Sequence, residues 1–170
     1  MTGGFCPFVS TGPITSFASV LQACTPRPRE LQVLLIEDNP TYVRLAQEAF
    51  AAGITMPHLQ IIGDGAEALR YLRKEGPFQD APRPDLVLLD LSLPKVSGSE
   101  VLRAVKSDPE LKRIPIIVLT TSNNSSREIA AIYELHANCC VNKPASLDAF
   151  IRFIQAVQHF WFEVVTLPSR

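Results

Sequence analysis

The chain alternates short apolar segments with helix-like segments, and this alternation restricts its fold more than any other feature. Residues 86–89 read Leu-Val-Leu-Leu, and residues 31–36 are almost as apolar. Unbroken apolar runs of this length are typical of strands buried on both faces of a parallel sheet. Five strand–helix units in succession predict a doubly wound α/β fold with helices on both faces and right-handed crossovers.

The boundaries of the predicted elements follow from apolar periodicity and from Gly, Pro and Asn signals. The predicted strands cover 31–36, 58–62, 86–90, 114–120 and 139–142. The predicted helices cover 41–52, 64–75, 98–107, 122–135 and 146–165, and the Pro-rich stretch 76–84 is a predicted loop.

Acidic residues stand where two of these strands end. Glu37 and Asp38 follow the first strand, and Asp90 closes the third. Ligands of open parallel sheets bind outside the carboxyl ends of the strands. Three carboxylates gathered there repel one another and imply a bound cation or raised pKa values, and hard oxygen ligands without nearby Cys or His favour Mg²⁺. Part of this set could instead cap the next helix, as Asp38-Asn39-Pro40 would.

Three more polar residues lie at predicted strand ends. Thr120 ends the fourth strand, Lys143 follows the fifth, and Ser92 lies two residues after Asp90. Taken singly, Lys143 is more often an ordinary surface lysine and Thr120 an ordinary β-branched strand residue. Together with the acids they suit phosphoryl transfer, in which a metal and a lysine neutralise phosphoryl oxygens and a carboxylate serves as nucleophile.

Composition restricts the classes of partner. The 170 residues carry a net charge of −1, so no basic field predicts binding to nucleic acid or to an anionic membrane surface. No segment approaches the roughly 20 apolar residues that span a bilayer. Cys139 and Cys140 are adjacent, so a bridge between them would be strained, and reduced thiols in a cytoplasmic protein are the simpler interpretation.

The N-terminal region differs from the rest in composition. Residues 1–29 are rich in Gly, Pro, Ser and Thr, which predicts a disordered extension and linker. A weaker alternative is an export signal near residues 14–24, but the positive n-region of such signals is missing. The predicted organisation is therefore an extension at 1–29, a domain at 30–167 with a long C-terminal helix, and a tail at 168–170.

Residues 31 to about 167 resemble the receiver domain of a two-component response regulator. The resemblance implies a flavodoxin-like (βα)5 fold with strand order 2-1-3-4-5, which places the first and third strands side by side. Five strings carry it in order: Val-Leu-Leu-Ile-Glu-Asp-Asn-Pro (33–40), Asp-Leu-Val-Leu-Leu-Asp-Leu-Ser-Leu-Pro (85–94), Ser-Gly (97–98), Ile-Pro-Ile-Ile-Val-Leu-Thr-Thr-Ser (114–122) and Asn-Lys-Pro (142–144).

The resemblance also implies roles for the residues at the strand ends. Asp90 would be the phosphoacceptor. Mg²⁺ would be bound by the side chains of Glu37, Asp38 and Asp90 and by the backbone carbonyl of Ser92. A sensor histidine kinase would be the phosphoryl donor.

Further implied roles concern the phosphoryl group itself. Lys143 would contact it, with a cis peptide bond to Pro144, and Thr120 would turn its hydroxyl toward it. The family commonly has a switch aromatic three residues before the lysine, where this chain has Cys140. The usual threonine–aromatic coupling is therefore in doubt, and a phosphorylation-dependent change would have to pass through the loop after Thr120 and the fourth helix.

A narrower resemblance points to single-domain regulators paired with phytochrome-type sensor kinases. It implies a kinase partner of bacteriophytochrome type. The strings that carry it are Leu-His-Ala-Asn-Cys (135–139), the Pro-rich loop at 76–84, Phe-Trp (160–161) and Val-Val-Thr-Leu-Pro (164–168).

The last predicted helix is more apolar than packing on a sheet requires. One stripe is expected to face the sheet: Leu147, Phe150, Ile151, Ile154, Val157, Trp161 and Val165. Further apolar residues widen the arc well beyond the ~100° of a surface helix. Surplus apolar surface marks an interface, which here predicts a homodimer, unless the N-terminal extension covers the surface. The predicted interface residues are Ala149, Phe153, Ala156 and Phe160.

The sequence thus predicts a phosphotransfer signalling module that is not an enzyme acting on a metabolite. One alternative is a Mg²⁺-dependent aspartyl phosphohydrolase, but such enzymes need an acid where this chain has Ser92. Another alternative is a scaffold that is never phosphorylated, but its acidic site would be expected to have lost at least one member.

Overall fold

The computed structural model describes residues 30–53, 55–120 and 125–168. These residues contain a five-stranded parallel sheet with strand order β2-β1-β3-β4-β5, which confirms the predicted fold class and order. The predicted extension at 1–29 and the predicted start of the fourth helix lie outside the described residues. The strands are β1 (Gln32–Ile36), β2 (His58–Ile62), β3 (Leu86–Asp90), β4 (Ile116–Thr120) and β5 (Cys139–Asn142).

Helices cover both faces of the sheet. The α-helices are α1 (Pro40–Ala51), α2 (Gly65–Leu72), α3 (Gly98–Ser107), α4 (Ser126–Glu134) and α5 (Leu147–Gln158). Side chains alternate along β1, so that Leu34 and Ile36 pack with α2 and α3, while Val33 and Leu35 pack with α1 and α5. The sheet therefore has a hydrophobic core on each face, as its unbroken apolar strands require.

Polar residues define where the helices begin. Asn39 caps α1, because its side chain accepts a hydrogen bond from the backbone N–H of Thr41 and Pro40 occupies the first turn. Ser97 and Ser125 open α3 and α4 with capping boxes, each completed by a glutamate three residues later. The caps define the residue at which each of these helices begins.

Some predicted boundaries differ from the observed ones. α2 ends at Leu72 rather than at residue 75, because Lys74 adopts a left-handed conformation with φ of 59°. Residues Gly76–Phe78 then form a 3₁₀ turn within the predicted loop. The C-terminal helix ends at Val164, one residue before the predicted end, and its last part, His159–Val164, is wound as a π-helix.

The C-terminal helix also departs from the predicted stripe at two residues. Phe150, Ile154 and Val157 are buried as expected. Leu147 is 39% exposed, which contradicts its predicted place against the sheet, because it lies in the first turn of α5. Gln158 is buried instead, and its side-chain amide donates to the Thr55 carbonyl at 2.7 Å.

Parallel register gathers the ends of the strands at one edge. Ile36 lies opposite Leu89, and Thr120 lies opposite Asn142. The residues that follow β1 and end β3 therefore project from the same edge of the sheet. Within the described ranges, no helix combines the length and apolar character needed to cross a bilayer.

Candidate functional site

The structure brings the three predicted carboxylates together. Glu37, Asp38 and Asp90 each offer an oxygen atom, and these atoms all lie within 4.8 Å of one another. Glu37 and Asp90 are 1% and 2% exposed, whereas Asp38 faces solvent. β1 and β3 are neighbours in the sheet, so the strand order itself creates the cluster.

Lys143 supplies the positive charge of this site. Its Nζ lies 2.7 Å from Glu37 Oε2 and 2.9 Å from Asp90 Oδ2, and its side chain is only 4% exposed. The backbone N–H of Lys143 donates to the Thr120 carbonyl, which anchors the residue beside β4. Burial alone would lower the pKa of Lys143, but the two carboxylates outweigh burial and raise that pKa, so the side chain is an ammonium ion.

The carboxylates retain capacity for a cation. Burial is the main cause that raises the pKa of Glu37, and the charge of Asp90 adds to it, while Lys143 acts in the opposite direction. Asp90 Oδ1 is buried and has no hydrogen-bond partner among the described residues. Glu37 Oε2 has the Lys143 ion pair but no partner in hydrogen-bonding geometry. A divalent cation would satisfy these oxygens, so the residues fit the predicted metal.

Two residues beside the carboxylates have contacts that the sequence analysis did not predict. The backbone N–H of Asn39 donates to Glu37 Oε1 at 3.2 Å, so the cap of α1 also orients a carboxylate. The ring of Tyr42 lies over Lys143, with 4.4 Å between Nζ and the ring centroid. Tyr42 was visible as an aromatic residue just after the acidic pair, but no sequence signal relates it to Lys143.

Thr120 lies at the same edge but its hydroxyl has another partner. The residue is buried, and its hydroxyl donates to Asn142 Oδ1 at 3.1 Å. Asn142 belongs to the Asn-Lys-Pro string, but no sequence pattern predicted this role for its side chain. A hydroxyl that turns toward a phosphoryl group would have to give up this hydrogen bond.

Two predictions concern the loops that carry Ser92 and Pro144. Ser92 is exposed directly beyond β3, and the metal-binding role of its carbonyl stays a prediction. The predicted cis bond between Lys143 and Pro144 is wrong, because no peptide bond in the described part of the chain is cis. The trans form is the intrinsically preferred one for X–Pro bonds, and Lys143 reaches both carboxylates with it.

Cys140 occupies the position of the usual switch aromatic. It is half-buried and packs against the hydrophobic core on the face of the sheet that α2, α3 and α4 cover. Burial raises the pKa of Cys139 and of Cys140, so both are thiols rather than thiolates at neutral pH. The loop at 121–124, through which a change was expected to pass, lies outside the described residues.

Comparison with known proteins agrees with this geometry. The sequence model of a protein family, the response regulator receiver domain, matches residues 33–155 of this chain. Response regulator Rcp1 of Synechocystis sp. is 44% identical over 137 residues, covering 81% of this chain and 92% of Rcp1.

Two solved structures are similar over most of both chains. The phosphorylated cyanobacterial phytochrome response regulator RcpA has a TM-score of 0.79 and 45% identity, over 83% of this chain and all of RcpA. The Mn²⁺-bound form of Rcp1 has a TM-score of 0.75 and 44% identity, over 81% of this chain and 98% of Rcp1. The chain belongs to the response regulator receiver family and is homologous to the phytochrome response regulators.

Proposed function

We propose that Asp90 is the phosphoacceptor of this receiver and takes its phosphoryl group from a sensor histidine kinase. One observation carries the proposal. The buried Asp90 carboxylate lies 2.9 Å from the Lys143 ammonium and clusters with the Glu37 and Asp38 carboxylates, within 4.8 Å of each. This is the arrangement that an anionic nucleophile needs in order to approach an anionic phosphoryl group.

The chemistry follows from the side chains. An Asp90 oxygen attacks the phosphorus of the kinase phosphohistidine, the P–N bond breaks, and its electron pair returns to the imidazole. Lys143 exchanges a carboxylate contact for a phosphoryl oxygen and neutralises part of its charge. Thr120 releases Asn142 and donates its hydroxyl to another phosphoryl oxygen.

Mg²⁺ is the proposed cofactor. The side chains of Glu37, Asp38 and Asp90 and the backbone carbonyl of Ser92 would hold it. Hard oxygen ligands of this kind suit Mg²⁺ and Mn²⁺ alike, and the Mn²⁺-bound form of Rcp1 supports a divalent ion in the family site. When bound, the ion supplies positive charge for the phosphoryl oxygens.

A kinase of the phytochrome type, in particular a bacteriophytochrome, is the proposed donor. The likeness to RcpA and Rcp1 supports this choice. We place the protein in the cytoplasm, where such a kinase would present its phosphohistidine. The proposed organisation is a receiver at residues 30–167, with 1–29 as an N-terminal extension and linker and 168–170 as a tail.

The proposed output is a change in a protein surface rather than conversion of a metabolite. A phosphohydrolase of the aspartyl type would need an acid two residues after Asp90, and Ser92 stands there. The intact set of acids, lysine and threonine also supports a phosphorylated receiver over an inert scaffold. Nucleic acid and membrane are not among the proposed partners.

The surface proposed for output is a homodimer interface on the C-terminal helix. Phe160 is 51% exposed and Ala156 is also exposed, while Ala149 and Phe153 are half-buried. Phe153 packs edge-on against the buried Phe150, with 5.9 Å between ring centroids. A second copy of this helix would cover the exposed apolar side chains. The N-terminal extension is the alternative cover.

The test of the phosphoacceptor is intact mass after incubation with acetyl phosphate. A phosphoryl adduct is expected in Mg²⁺ and not in EDTA, and it should be lost in Asp90→Asn. Asp85→Asn is a matched control, because Asp85 is also buried but lies before β3 and accepts from the backbone N–H of Gln32. An adduct that persists in Asp90→Asn, or no adduct in folded wild-type protein, would reject the proposal.

A further inference from the structure

Tyr42 presents an aromatic ring to the lysine of the site. It lies in the first turn of α1, and its ring centroid is 4.4 Å from Lys143 Nζ. An ammonium ion within about 6 Å of an aromatic face is attracted by the negative face of the ring. The contact therefore involves the cation that forms ion pairs with Glu37 and Asp90.

The surroundings of Lys143 Nζ favour a strong cation–π attraction to the Tyr42 ring. The ammonium nitrogen lies 2.7 Å from Glu37 Oε2, 2.9 Å from Asp90 Oδ2 and 4.4 Å from the centroid of the Tyr42 ring. The side chain of Lys143 is almost completely removed from solvent. Cation–π attraction increases when water is excluded, because water no longer competes for the cation.

Two packed elements hold the ring in place. Its neighbour on α5 is Phe150, with 6.4 Å between ring centroids and 38° between planes, and Phe150 is fully buried. Three residues before Tyr42, Asn39 caps the start of α1, and the backbone N–H of Asn39 donates to the Glu37 carboxylate. The same short segment thus positions both a carboxylate partner and the aromatic partner of Lys143.

We propose that Tyr42 is a positioning residue, which holds Lys143 Nζ against Asp90 during phosphoryl transfer. The inference rests on the proposed function of Asp90. Lys143 must exchange a carboxylate oxygen for a phosphoryl oxygen without leaving the site. The face of the ring attracts the ammonium but has no oxygen that would compete with the phosphoryl group, so the lysine stays in place while its acceptor changes.

The test compares Tyr42→Phe with Tyr42→Leu in full-length protein, using acetyl phosphate, saturating Mg²⁺ and intact mass against time. Tyr42→Leu should lower the phosphorylation rate constant about two- to thirty-fold, the range that loss of a cation–π contact covers. Tyr42→Phe keeps the ring and should react like wild type. Leu45→Ala is the matched control, because Leu45 packs against the same core one turn further along α1.

A double variant separates positioning from a general structural effect. In a Lys143→Met background, Tyr42→Leu should cause no further loss of rate, since the partner of the ring is gone. Equal further loss in that background, a wild-type rate in Tyr42→Leu, or equal losses in Tyr42→Phe and Tyr42→Leu would overturn the inference. These results leave the proposed function intact, whereas that function fails if wild type forms no adduct or Asp90→Asn still forms one.

Discussion

Lys143 joins two acidic residues that come from different strands. Its ammonium is the only cation that the described residues place on both Glu37 and Asp90. Buried carboxylates without such a partner would repel each other and favour protonation or a metal ion. The balance between this lysine and a divalent cation therefore sets the charge of the site.

Replacing Lys143 tests that balance. Lys143→Met should slow phosphorylation by acetyl phosphate about 100-fold, in the range for loss of one group that stabilises transition-state charge. The same variant should bind Mg²⁺ more tightly than wild type, because the metal no longer competes with the ammonium for two carboxylates. Calorimetric titration with Mg²⁺ checks this, and weaker binding would show that Lys143 does not oppose the metal.

Gly98 lies where the backbone passes close to Asp90. A Cβ there would overlap the carbonyl oxygen of Asp90 and crowd the Cα of Leu91. Gly98→Ala should therefore destabilise the protein by about 1–3 kcal/mol in urea unfolding.

Gly76 is the matched control for this substitution. A Cβ there has nothing within 4 Å, but the residue has φ of +59°. Gly76→Ala should cost only about 1 kcal/mol, from backbone strain alone, and should leave phosphorylation unchanged. A loss of stability in Gly76→Ala as large as that in Gly98→Ala would contradict the steric explanation for Gly98.

At the level of elements, the C-terminal helix has two kinds of surface. Phe150 and Ile154 anchor α5 on the sheet, while Phe160 and Val164 lie exposed on the π-helical segment. The same helix thus stabilises the fold through one side and offers apolar side chains through another.

Charge placed on that exposed side should weaken self-association. Phe160→Glu is expected to raise the dimer dissociation constant at least about 10-fold, since aromatic residues at the centre of an interface often contribute more than 1 kcal/mol. Light scattering coupled to size exclusion, with and without beryllofluoride, measures this. Met56→Glu changes an exposed apolar residue outside the C-terminal helix and should leave the dimer dissociation constant unchanged. A wild-type protein that is monomeric in both conditions would exclude the dimer.

At the scale of the whole molecule, the acidic site couples stability to pH and metal. The pKa of Glu37 is raised in the fold, so metal-free folded protein holds more protons than unfolded protein above the ordinary carboxyl pKa of 4.5. Stability of the metal-free protein should therefore fall as pH rises through that window. The proposed Mg²⁺ would bind the ionised carboxylates, so its stabilising effect should increase with pH.

Thermal unfolding at pH 5 and pH 8 measures this coupling. Mg²⁺ at 100 times its dissociation constant at pH 8 should stabilise the protein by about 2.7 kcal/mol at pH 8. The same Mg²⁺ concentration should stabilise it by less at pH 5. Glu37→Gln cannot titrate at this position and should lose most of the difference between the two pH values. A Mg²⁺ effect that is larger at pH 5 would contradict the assignment.

The sequence carried enough information for the fold and for most of the acidic site. Apolar runs and caps predicted five strands and five helices, and acids directly after β1 and at the end of β3 predicted a cluster, because strand ends meet at one edge in a parallel sheet. Element boundaries were less well predicted where a single residue adopts an unusual backbone conformation. Lys74, for example, has a left-handed φ, and α2 ends before it.

By itself, the sequence determined the order of the elements, the two-sided hydrophobic core and the residues at the strand ends, since these depend on periodicity and on local hydrogen bonds. Only the tertiary structure placed Tyr42 over Lys143, paired the Thr120 hydroxyl with Asn142, and buried Gln158 while leaving Leu147 exposed. Such contacts depend on how α1, α5 and the loop after β5 dock on the sheet. Docking is decided by the shape and volume of side chains from distant segments, which no local pattern records.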